Sequence, residues 1–184
     1  MKKKLGILFY KSIDLELGTY LIKKLQEIFK NKFTHYELIK ESLDIPQKSY
    51  DKERDQYFAS FLLEPLRSYA IDNDYYKILG IFPDVMYSKW LNFIFGQAEF
   101  GDEEETRASI ISSIRLKIDC DFTKDGLSKY YKRVLKEAVH EIGHTLSLDH
   151  CDNTCVMKYS ETLSDTDEKP YNYCSRCQEL LKIR

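Results

Sequence analysis

The stretch His140-Glu141-Ile142-Gly143-His144, followed by His150, restricts this chain more than any other part of it. On an α-helix, residues four apart lie about 40° apart around the axis, so His140 and His144 can present ring nitrogens to one ion from adjacent turns. Glu141 leaves the same helix beside them, where a carboxylate can take a proton from metal-activated water without filling a coordination position. His150 lies too far beyond His144 to share that face, so the chain must turn back to deliver it. The spacing predicts a helix that breaks soon after His144 and a three-histidine site with one open position. An isolated H-E-x-x-H string also occurs on helices that bind nothing, and the third histidine is what makes the pattern specific.

The cysteines extend the metal reading. Cys151 adjoins His150, Cys155 follows it, and Cys174 and Cys177 form a second close pair. Four thiolates in two short pairs fit a tetrahedral structural zinc. Disulfides are the rival. Residues 5–10 form an apolar run too short for a secretory signal, so a reducing, cytoplasmic setting is expected, with the paired cysteines as metal ligands. Cys120 is left over and reads as a small buried apolar residue.

A chain of 184 residues is long enough for one domain with a proper core. Its 28 basic and 30 acidic side chains leave a net charge of −2, which gives no basic field for nucleic acid, and no stretch has the length of a membrane span. Strands are expected at residues 5–10, 33–39, 76–82, 91–95 and 108–116, with a helix at 15–29, a loop around Ile45-Pro46 and a turn at Pro83-Asp84. Residues 51–70 read as an amphipathic helix kinked or ended by Pro65. The acidic run from Gly101 to Glu105 reads as a solvated loop. Gly126 and Ser128 read as the start of the histidine helix, with Val134, Leu135, Ala138, Val139 and Ile142 on its buried face. Arg133, Lys136 and Glu137 mark its polar face, where His140, His144 and a cleft are expected.

The pattern His140-Glu141-x-x-His144-x-x-Ser147-x-x-His150-Cys151, then Cys155-x-Met157 and Cys174-x-x-Cys177, resembles the archaemetzincins, zinc metalloproteases of the metzincin clan. Residues 50–57, 91–98 and 107–112 also resemble segments of that family, so the likeness covers nearly the whole chain. The resemblance implies an α+β, zincin-like single domain over residues 1–184 with a mixed twisted sheet. Residues 1–146 would carry the sheet and the active-site helix, and residues 147–184 the third ligand and the cysteine site. It implies two zinc ions, one catalytic on His140, His144 and His150, one structural on Cys151, Cys155, Cys174 and Cys177. Glu141 would be the general base, Met157 an apolar floor beneath the metal, and Tyr159 a residue reaching the zinc or the oxyanion.

Two departures stand out. Ser147 occupies a position where the clan carries glycine, and the loop between Cys151 and Cys155 is one residue shorter than is common in the family. A serine held at positive φ costs roughly 1 kcal/mol, which a folded site can hold. The expectation is a zinc-dependent peptidase whose peptide or protein substrate lies extended along an exposed sheet edge, acting as a monomer without nucleic acid or membrane. A zincin fold that holds peptides without cutting them is the alternative. A zinc-ribbon protein would explain the cysteines but not Glu141.

Overall fold

The computed structural model describes residues 3–183. Strand β1 (Lys4–Phe9) turns Leu5, Ile7 and Phe9 to one hydrophobic cluster and Leu8 to another, so it is buried on both faces. Such a strand needs a layer on each side. Helix α1 (Leu15–Phe29), N-capped by Asp14, covers the first face, and β2 (His35–Ile39) pairs parallel to β1. A short antiparallel hairpin follows, β3 (Tyr50–Asp51) and β4 (Gln56–Phe58). Helix α2 (Ala59–Asp72) covers the second face through Leu62, Leu63 and Leu66. Strand β5 (Lys77–Phe82) returns to the sheet centre, β6 (Met86–Tyr87) pairs with β4, and β7 (Gly96–Ala98) and β8 (Ala108–Ser112) complete the strands. The main sheet has the order β2-β1-β5-β8-β7, parallel except for the antiparallel edge strand β7.

After α3 (Ser113–Leu116), the long helix α4 (Lys124–Thr145) packs on β7, β8 and α1. Two short helices, α5 (Leu163–Glu168) and α6 (Ser175–Leu181), close the chain. Among the described residues no helix is long and apolar enough to cross a membrane.

Several elements differ from the periodicity reading, each because a local polar bond or a tertiary partner overrides it. Residues 51–58 are not helical. Asp51 Oδ1 accepts from the backbone N–H of Glu53 and Arg54, and Asp55 adopts φ 52°, which makes a hairpin turn. The helix then runs through Pro65 to Asp72 without ending, held by buried Leu62 and Leu66. Residues 91–95 are not a strand; only Ile94 bridges Met86, and β7 starts at Gly96. Strand β8 stops at Ser112 instead of continuing to residue 116. Helix α4 begins at Lys124, earlier than expected, because the Thr123 side chain accepts from the Gly126 N–H.

The polar face of α4 is not a solvent face. Arg133 and Glu137 are buried under the C-terminal segment. Arg133 donates to both oxygens of Asp167, at 2.7 and 2.6 Å, and Lys169 pairs with Glu137 at 3.0 Å. Cys120 is half-buried, not fully buried, and takes a hydrogen bond from Arg133 Nη1 at 3.6 Å.

Strand β5 and helix α2 meet at Gly80, where an added Cβ would lie 2.6 Å from Leu66 Cδ1 and 3.3 Å from Ile110 Cγ1. Gly80→Ala should therefore destabilise the fold by about 1–3 kcal/mol in denaturant unfolding. An unchanged midpoint would contradict this packing of α2 on the sheet.

Candidate metal centre and cleft

Helix α4 stops where the third histidine requires it to stop. Ser147 adopts φ 63°, the left-handed conformation expected of it. Its N–H donates to the His144 carbonyl at 3.0 Å, and the Leu148 N–H donates to the Gly143 carbonyl at 3.0 Å. These are the paired bonds of a Schellman stop. The Ser147 hydroxyl adds a bond that glycine lacks, donating to the Gly101 carbonyl at 2.9 Å. The reversal brings the His150 ring to 5.3 Å from that of His140 and 4.9 Å from that of His144. One ring nitrogen of each of the three histidines lies within 4.8 Å of the others.

The backbone also fixes which nitrogens face inward. His140 Nδ1 donates to the Val156 carbonyl at 2.9 Å and His144 Nδ1 to the Leu148 carbonyl at 2.7 Å. Both Nε2 atoms are then unprotonated, and they face each other at 3.0 Å. Burial draws His144 down to about 4 and His140 well below the ordinary histidine range, so both rings are neutral. Two nitrogens on one tetrahedral zinc, each about 2.1 Å from it, would sit roughly 3.4 Å apart. Two opposed lone pairs at this separation fit a cation between them and little else.

The four cysteines meet the same test. All are free thiols whose sulfurs gather within 4.8 Å of one another. Cys151 Sγ and Cys174 Sγ are 3.8 Å apart. That is far beyond a disulfide and close to the edge of a tetrahedron with metal–sulfur bonds of about 2.3 Å. Burial pushes the Cys155 and Cys177 thiols up, while against burial the Cys177 N–H and Asn153 Nδ2 draw Cys174 down to about 6. A central cation would offset the burial of the others.

Glu141 lies in the cleft with the histidines and is only 5% exposed. Burial, and then the Glu137 carboxylate one turn earlier, raise its pKa well above the ordinary value. Its place depends on Gly96, because a Cβ there would lie 2.5 Å from Glu141 Oε1. Met157 is fully buried against Gly143 of α4, where a Cβ would meet its sulfur at 2.5 Å. The Tyr159 ring packs 5.2 Å from His150.

The cleft has a volume of about 640 Å³ and is lined by the three histidines, Glu141 and β7, with Glu141 against Gly96. The Phe95 carbonyl accepts from Ser112 N–H and the Glu99 N–H donates to Ala108, so Gly96 and Ala98 between them turn their backbone polar groups to the open edge. Sequence periodicity missed this edge strand, and missed Gly96 and Phe100, whose ring packs 4.5 Å from His144. A glycine inside a strand, marking a close approach, was the available signal.

The sequence matches the model of peptidase family M54 over residues 11–183. It is 40% identical to the archaemetzincin of Methanopyrus kandleri over 78% of this chain and 75% of that one. It is 33% identical to the archaemetzincin of Archaeoglobus fulgidus over 92% of this chain and 95% of that one. The crystal structure of the Methanopyrus kandleri archaemetzincin superimposes with a TM-score of 0.83, at 32% identity, covering 98% of this chain and 94% of that one.

Two changes at Ser147 separate its backbone from its hydroxyl. Ser147→Gly relieves the strained φ but loses the Gly101 bond and adds freedom to the unfolded chain, so its zinc affinity and stability should stay near those of the parent. Ser147→Ala keeps the strain and loses the bond, and should fall below Ser147→Gly by about 1 kcal/mol in thermal or denaturant unfolding. The reverse order would contradict a left-handed turn at this residue.

Proposed function

This chain belongs to peptidase family M54, the archaemetzincins, and is a zinc metallopeptidase, and from that premise we propose how its own residues divide the work. His140, His144 and His150 hold the catalytic zinc, and Cys151, Cys155, Cys174 and Cys177 hold a second, structural one. Zinc, when bound at the histidines, supplies a Lewis acid that lowers the pKa of water and polarises a peptide carbonyl. Glu141 takes one proton from the attacking water as the new C–O bond forms, then delivers it to the amine nitrogen as the C–N bond breaks. The observation that carries this reading is a buried carboxyl group in the same cleft as three converging imidazoles.

The substrate is a peptide or protein, and we place it as an added strand, antiparallel to β7, on the outward groups of Gly96 and Ala98. Gly96 faces Glu141, and Phe100, just past Ala98, faces His144. An antiparallel peptide then has its N-terminal part beside Phe100 and its C-terminal part beside Gly96. The leaving amine falls on the Glu141 side, where the proton is delivered. Met157 supports α4 from beneath at Gly143, and the packing of Tyr159 on His150 favours an orienting role for that ring. Residues 147–184 act as the unit that closes the site begun by residues 1–146.

A peptide-library digestion with and without a zinc chelator tests the activity, and two variants test the roles. Glu141→Ala should keep the histidine-bound zinc and lower kcat/KM about 100-fold or more. Gly96→Ala, which presses on the same carboxylate, should lower kcat while zinc content stays at the parent's level. Cleavage by Glu141→Ala at the parent's rate would remove Glu141 as the base.

A further inference from the structure

Residues 99–106, which include the acidic run expected to be a solvated loop, touch the end of α4 at three points. The Phe100 ring packs on His144, and the Gly101 carbonyl accepts from the Ser147 hydroxyl. The third point is buried: Thr106 Oγ1 donates to the Thr145 carbonyl at 2.7 Å. Thr145 is the last residue of α4, and the final carbonyls of a helix have no partner within it. A side chain 39 positions earlier in the chain supplies one.

The other side of this stretch is fastened to the sheet. Lys77 of β5 is 1% exposed. It directs its three protons to the Glu103 carbonyl at 2.6 Å, the Thr106 carbonyl at 2.6 Å and Thr106 Oγ1 at 3.1 Å. Burial draws its pKa down to about 7 against the pull of the Glu103 carboxylate. Lys32, at 3.0 Å, and the Tyr76 hydroxyl, at 2.5 Å, hold that carboxylate in turn. The Thr106 hydroxyl accepts from Lys77, and its oxygen lies 2.7 Å from the Thr145 carbonyl against 3.1 Å from the Asp102 carbonyl, so its shorter bond goes to the helix end.

We propose that Thr106, anchored by Lys77, is a positioning residue for the histidine site, holding the end of α4 at the height from which the Ser147 turn aims His150. It touches neither the ligand nitrogens nor the cleft. The same strap keeps the Phe100 wall against His144. The inference rests on the three histidines being metal ligands.

Zinc competition with a chromophoric chelator on the full chain tests it, the histidine step being identified by its loss in His144→Ala. Thr106→Val, which keeps the shape and removes the hydroxyl, should weaken the histidine step about tenfold, the upper end of what one neutral hydrogen bond contributes. The cysteine step should not move. Thr106→Ser should restore the affinity, and hydrogen exchange at residues 146–148 should rise in the valine variant and return in the serine variant. Lys77→Met, which leaves the hydroxyl but removes the anchor of Thr106 to the sheet, should weaken the same step by less. Parent-like affinity in Thr106→Val overturns the proposal, as does loss of both steps together, which would report a loosened fold. If His144→Ala changes neither step in the parent background, the ligand assignment falls as well.

Discussion

The site depends on a helix that is long, rigid and abruptly ended. Helix α4 must reach across the sheet to set His140 and His144 on successive turns, yet it must break within three residues of His144 for His150 to return. The Schellman stop at Ser147 does this, and the Leu148 carbonyl that emerges from it receives the Nδ1 proton of His144. One turn therefore ends the helix, orients His144 and aims His150. The roughly 1 kcal/mol held in a serine at positive φ is small beside the bonds that surround it.

The histidine and cysteine clusters are not independent. His150 adjoins Cys151, and the carbonyl that fixes His140 belongs to Val156, between Cys155 and Met157. The Cys151 N–H in turn donates to the Met157 carbonyl at 3.0 Å. Closing the four thiols together thus shapes the backbone on which the histidine site is built. The buried pair Glu137–Lys169, and buried Arg133 with the exposed Asp167 carboxylate, tie this segment to α4. The buried Glu137–Lys169 pair adds little net stability against apolar packing but is costly to break on one side, which favours a single docking of the C-terminal segment.

The histidine and cysteine clusters were legible in the sequence because ligand spacing is a local signal, and β1 and α1 because their apolar runs are clean. The spacing of His150 demanded a reversal after His144, and the family resemblance, with glycine at this position, placed it at Ser147. Where reading failed, a distant partner decided. Asp51 turned an apolar period into a hairpin by bonding its own backbone. Arg133 and Glu137 read only as a polar face because their partners, Asp167 and Lys169, lie far away in sequence. The acidic run looked idle because Lys77 and the end of α4 reach it only in the folded chain.

Anomalous diffraction at the zinc edge, from crystals of the zinc-loaded chain, is the most direct measurement. Two peaks should appear, one among the four cysteine sulfurs and one in contact with a ring nitrogen from each of His140, His144 and His150 at about 2.1 Å. A single peak at the cysteines, with His150 turned away from the other two rings, would contradict a catalytic zinc held by the three histidines.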